Sequence, residues 1–129
     1  MPDTHSTEQL KQIAVQFLQL VIAGCFDEAY RQHVAPHGKH HNPFTPAGFP
    51  ALQKGMGENH GLFPHKQLTV QNVLGDGEFV AVHSHLVLAP EQNSMTVVHI
   101  FRFRDGKIVE LWDCGQQIPK ESPNTDGPF

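Results

Sequence analysis

The 129-residue sequence predicts an α+β fold, with helices packed on one face of a curved, mostly antiparallel sheet. Three observations carry this. Apolar residues in the first half recur every three or four positions, the helical period. From Gln67 onward the period drops to two, which is the strand period. The second half is also punctuated by Gly75-Asp76-Gly77 and Asp105-Gly106, both hairpin-turn signals.

The elements follow in order. Thr4 to Gly24 reads as an amphipathic helix whose apolar stripe is Leu10, Ile13, Ala14, Phe17, Leu18 and Val21. Ser6 or Thr7 serves as its N-cap, and Gly24 suits its end. Phe26 to His33 is a shorter helix, with Asp27 and Glu28 at its positive end. Pro36 and Gly38 break the pattern, and HHNPFTPAGFP reads as loop because residues before proline avoid helical angles. Pro50 to Leu62 is a third helix, weakened by Gly55 and Gly57. Strands are predicted at Gln67–Leu74, Glu78–Ala89, Met95–Arg104 and Lys107–Cys114, with a turn at PEQNS between the second and third. Residues 119–129 read as a loosely held tail on a single domain spanning 1–129. A bent sheet roofed by helices leaves a cone-shaped hollow, where a small molecule would sit.

Composition narrows the partners. The net charge is -4 and no basic block appears, which argues against nucleic acid. No apolar run reaches the length of a membrane span. The opening MPDTHSTEQL has neither the basic nor the apolar region of a secretory signal. Cys25 and Cys114 are far apart and form no C-x-x-C, so reduced, partly buried thiols in the cytoplasm are expected. Ten histidines are the one compositional oddity.

Three segments, in this order, resemble the SnoaL-like polyketide cyclase family within the larger NTF2-like fold. They are HHNPFTPAG after two helices, VAVHSHL after a Gly-Asp turn, and IFRFRDGKIVELWD. The resemblance spans roughly residues 8 to 118. It implies an NTF2-like cone, a homodimer, and ring closure by intramolecular aldol condensation without metal or cofactor. It also implies a general acid/base near the end of the last strand. Family members continue W-D-x-x-D, the second acid being catalytic. Here Trp112-Asp113 is followed by Cys114, Gly115 and Gln116, and an amide does not take up a proton at neutral pH.

Aldol or isomerisation chemistry needs a base for a proton α to a carbonyl, and donors for the enolate oxygen. Asp113, His41, His83 and His99 are the candidate catalytic groups. Asn42, Phe44, His85, Phe101, Trp112 and Gln116 are the candidate substrate contacts. Alternation puts Ala81, His83 and His85 on one face of their strand, and Val80, Val82, Ser84 and Leu86 on the other. His99 shares a face with Phe101 and Phe103, and Asp113 with Val109 and Leu111. Periodicity alone does not say which faces the hollow. Each residue also has a structural explanation. His83 and His85 fit an exposed or dimer-facing surface, His99 a buried core position, Trp112 packing, and Asp113 a turn cap. His41 and Asn42 fit an Asx-type turn before Pro43. His5, His37, His60 and His65 fit the surface. Three functions stand side by side: a cofactor-free acid/base enzyme, a non-catalytic binding module with Gln116 marking lost activity, and a metal protein built on His83-x-His85 with His41, His99 and Asp113.

Overall fold

The computed structural model describes residues 5–90 and 94–129. Thr4 and three residues of the PEQNS turn, 91–93, lie outside the described residues.

Helix α1 (Thr7–Ile22) starts at Ser6, whose side chain accepts from the Gln9 N–H while the Gln9 side chain accepts from the Ser6 N–H. This reciprocal cap satisfies two amides that the first turn otherwise leaves unbonded. Leu10, Ala14, Phe17, Leu18 and Val21 form its buried stripe, as their spacing predicts. Helix α2 (Phe26–His33) follows after a left-handed Gly24.

The next element departs from expectation. Val34–His40 is a strand, β1, rather than a break. It lies at the sheet edge, parallel to the last strand, and pairs at Val34, Lys39 and His40 with an irregularity between Val34 and Lys39. An edge strand tolerates Pro36 because one side of its ladder is unpaired. Gly38 is needed for another reason. A Cβ there would meet the Phe49 ring at 2.3 Å and the Val109 carbonyl at 2.5 Å. Helix α3 (Phe49–Leu62) carries Pro50 in its first turn, where no N–H is needed.

Strands β2 (Gln67–Asp76), β3 (Phe79–Val87), β4 (Ser94–Arg104) and β5 (Lys107–Gln117) complete a five-stranded sheet of order β1-β5-β4-β3-β2. The β4–β5 turn is Asp105-Gly106, both at positive φ (52° and 74°), as a tight two-residue hairpin requires. Between β2 and β3 the turn is Gly77-Glu78, one residue later than Gly75-Asp76-Gly77 suggests. Bulges in β2 at Gln71 and in β5 at Val109 bend the sheet. The Val109 bulge also breaks the simple alternation expected of the last strand. Ile108 and Leu111 are both buried, and Val109 leaves their face.

All three helices lie on one side. α1 crosses β2 and β3, while α2 and α3 pack toward β1. The core between them joins Phe17, Tyr30, Leu52, Val80, Val82, Phe101, Phe103, Ile108 and Leu111. Phe17 meets Tyr30 and Phe101 edge-on, at 5.4 and 5.9 Å between centroids.

The opposite, outer face has a polar centre of its own. Glu110 accepts from His41 Nε2 at 2.6 Å and from Arg102 Nε at 3.0 Å. The His41 bond, then Arg102, holds the Glu110 carboxyl below its ordinary value of 4.5. The unfolded chain therefore binds more protons as pH falls. Stability from this group is full above pH 4.5 and is lost as pH drops through the lower folded value. Glu110→Gln is expected to cost about 1 kcal/mol at neutral pH. It should also flatten the acid limb of the stability curve, read by thermal melts in a pH series. An unchanged acid limb would contradict this role.

Candidate functional site

A hollow of about 280 Å³ opens between α1, α3 and the inner face of the sheet. Its walls are apolar: Leu18, Val21 and Ile22 from α1, Leu52 and Met56 from α3, and Leu68 and Leu86 from the sheet. Six polar side chains interrupt them: Asn42, Thr45, Asn59, Lys66, His99 and Asp113. The hollow continues to a mouth lined by Pro43, Phe44, Met95, Val97, Cys114 and Gly115.

Asp113 and His99 reach this space because they are cross-strand partners on the inner face, one step beyond the Leu111–Phe101 pair that floors the core. Asn42 arrives from the loop after β1. His40 places that loop. Its Nε2 donates to the Pro46 carbonyl at 2.7 Å, and its Nδ1 accepts from the Asn42 N–H at 3.1 Å. The Asn42 side-chain oxygen accepts from the Phe44 N–H at 2.9 Å, an Asx turn of the kind the sequence suggests. That contact fixes the amide's orientation and aims its NH2 at Asp113, to whose Oδ2 it donates at 2.9 Å. One carboxylate oxygen is thus anchored, and no described side chain bonds the other.

His99 is half-buried, and its Nδ1 is fully shielded with no hydrogen-bond partner. Burial lowers its pKa from 6.5, against a smaller opposing pull from Asp113, so the imidazole is neutral at neutral pH. Tyr30 lies below, its hydroxyl donating to Met56 Sδ at 3.1 Å. Burial, with the Asp113 charge adding to it, pushes this phenol far above its usual value and keeps it protonated.

The other expected residues fall elsewhere. His41, His83, His85, Trp112 and Gln116 project from the outer face, and the sheet separates them from the hollow. His41 stacks on Trp112 at 5.0 Å, which accounts for both. His83 and His85 pack against Phe129, at 5.5 and 4.9 Å. His83 also accepts from Asn72. Gln116 pairs with Thr96 and is exposed. Phe101 is fully buried beneath His99 and does not line the hollow. Phe44 stands at the rim, 94% exposed. The metal set is therefore divided: His41, His83 and His85 lie on one face, His99 and Asp113 on the other. Among the described residues no three His, Cys, Asp or Glu side chains are grouped to hold an ion. His60 is half-buried against Gly24 and Phe26 rather than on the surface, and both cysteines are free and exposed rather than partly buried.

Lys66, Asn59 and His40 were not singled out by sequence reasoning. Lys66 sits in PHKQ, between a helix stop and a strand start, where no period marks burial. The only cue was an apolar flank, Leu62-Phe63 before it and Leu68 after.

Comparison with known proteins fits this geometry. A family model described as a SnoaL-like domain matches residues 14–111. No curated protein matches the sequence. Among solved structures, AclR of Streptomyces galilaeus, a presumed hydroxylase, is 22% identical with TM-score 0.74, covering 86% of this chain and 91% of its own. IdmH of Streptomyces antibioticus, a presumed polyketide cyclase, is 22% identical with TM-score 0.69, over 83% of this chain and 91% of its own. A presumed ketosteroid isomerase of Kribbella flavida is 21% identical with TM-score 0.72, over 92% and 85%. At such identities the likeness is one of fold, which is NTF2-like. With the family model matched over most of its length, this chain belongs to the SnoaL-like domain family.

Proposed function

We propose that the protein is a cofactor-free acid/base enzyme of the aldol-cyclisation or isomerisation type, acting on a small apolar carbonyl compound. The observation that carries this reading is one carboxylate, anchored by Asn42 through a single oxygen, beside a neutral, unpartnered imidazole in an apolar hollow. Asp113 takes a proton from the carbon α to the carbonyl. His99, being neutral, donates a hydrogen bond to the enolate oxygen that develops. The same proton on Asp113 is then returned to the γ position in an isomerisation, or to the new alkoxide in an aldol closure. Asn42 keeps the carboxylate aimed, and apolar walls exclude water that would compete for the proton. Structural neighbours named as a polyketide cyclase and a ketosteroid isomerase lend this fold a history of such chemistry.

The test needs no knowledge of the natural substrate. In D2O, the protein is expected to speed exchange of the α-protons of 1-tetralone, a bicyclic aryl ketone, followed by NMR. Binding of the ketone with no exchange above buffer would favour the non-catalytic binding module.

The same proposal includes a second copy on the outer sheet face. No helix among the described residues covers that face, and Ala81, Val98 and Ile100 form its apolar middle. Light scattering on a sizing column is expected to give twice the 14.4 kDa chain mass, and a monomer at all concentrations would refute it. Two free, exposed thiols suit a reducing cytoplasm. No described helix is long and apolar enough to cross a membrane.

A further inference from the structure

Lys66 has no role in the chemistry above, yet it is among the few charged side chains the fold buries, at 9% exposure. Lysines ordinarily run their carbon stem along the surface and keep the ammonium in water. Here Lys66 lines the hollow, and among the described residues its ammonium has a single partner, a neutral amide oxygen, Oδ1 of Asn59. Among the described residues no carboxylate comes within ion-pair distance of it. Removing an ammonium from water without a counter-charge is costly, and nothing in the packing returns that cost. An amide accepts one of its three N–H donors, leaving two for something that enters the hollow.

The position of Asp113 sharpens the argument. It lines the same hollow from β5, whereas Lys66 stands directly before β2, and β4 and β3 lie between those two strands in the sheet. The two opposite charges therefore mark separate ends of one apolar space. A negative group beside Asp113 would be repelled, whereas the same group at Lys66 would gain charge-assisted hydrogen bonds.

We infer that Lys66 anchors an anionic oxygen group, a carboxylate or an ionised enol or phenol, on the ligand of this hollow. The inference rests on the reading of the hollow as a ligand site and refines its substrate to a carbonyl compound whose otherwise apolar body carries one anionic oxygen group. It also sets their orientation, with the anionic end at Lys66 and the acidic carbon at Asp113.

Calorimetric titration with 2-naphthoate and with its neutral isostere 2-naphthamide tests this at pH 7. The unaltered protein is expected to bind the carboxylate at least about 10-fold more tightly than the amide. Lys66→Met should abolish that preference while leaving amide affinity within about 3-fold. Asp113→Asn should leave the preference in place. If the amide binds and the carboxylate is not favoured, Lys66 is no anion anchor and the hollow remains a ligand site. A preference that survives Lys66→Met overturns the assignment in the same way. If neither compound binds, the ligand-site reading falls and takes this inference with it. In the unaltered protein, a carboxylate bound no more tightly than the amide refutes the anchor without a variant, and Lys66→Gln, also expected to lose the preference, is the second variant where Lys66→Met folds poorly.

Discussion

Asp113→Asn is expected to slow α-proton exchange of 1-tetralone by about 10²- to 10⁴-fold, the range a positioned general base supplies. The substitution changes one carboxylate oxygen to an amide nitrogen and so removes the basic oxygen that faces the hollow beside His99. The side chain keeps its size, and its remaining oxygen still accepts from Asn42. Asp113 is half-buried and belongs to no ion pair among the described residues, so folding should be little affected. The thermal midpoint is therefore expected to move by no more than a few degrees while exchange collapses. Exchange within about 3-fold of the unaltered protein would remove Asp113 as the base. A collapse in stability as well as in rate would assign it a structural part instead.

Phe101→Ala should produce the largest loss of stability. The ring is fully buried, edge-on to Phe17 at 5.9 Å, beside Phe103 at 6.2 Å and beneath His99. It joins the helical layer to the sheet, so a cavity left there has rigid walls on both sides and collapses poorly. Such truncations cost about 3–5 kcal/mol. For a chain of this length that is roughly 10–20 °C in thermal midpoint. The rim residue Phe44, 94% exposed, gives the contrast, because Phe44→Ala should cost less than about 0.5 kcal/mol. Melting curves of the two variants check both. A shift under a few degrees for Phe101→Ala would mean that its ring does not join the two layers.

The elements that bury one face were the legible ones. α1 announces itself through Leu10, Ala14, Phe17, Leu18 and Val21, and the β4–β5 hairpin through Asp105-Gly106. β1 stayed hidden because a parallel edge strand needs no alternation, and its Pro36 and Gly38 have the composition of a break. In the site, Asp113, His99 and Asn42 came from sequence, but so did five residues that point the other way. Period two sorts a strand's side chains into two sets without saying which set meets the helices. The sequence did hold a cue: Val80 and Val82 belong to the more apolar set of β3, so His83 and His85 belong to the other face. Lys66 and His40 were beyond reach because tertiary contacts rather than local pattern bury them.

Everything functional depends on ligand entering the inner hollow and not settling on the histidine-rich outer face. An amide NMR titration with 1-tetralone measures this residue by residue. The perturbed signals are expected to gather at Asn42, Met56, Lys66, Leu86, His99 and Asp113. Perturbations gathered instead at His83, His85, Trp112 and Gln116, with the inner set unmoved, would contradict it.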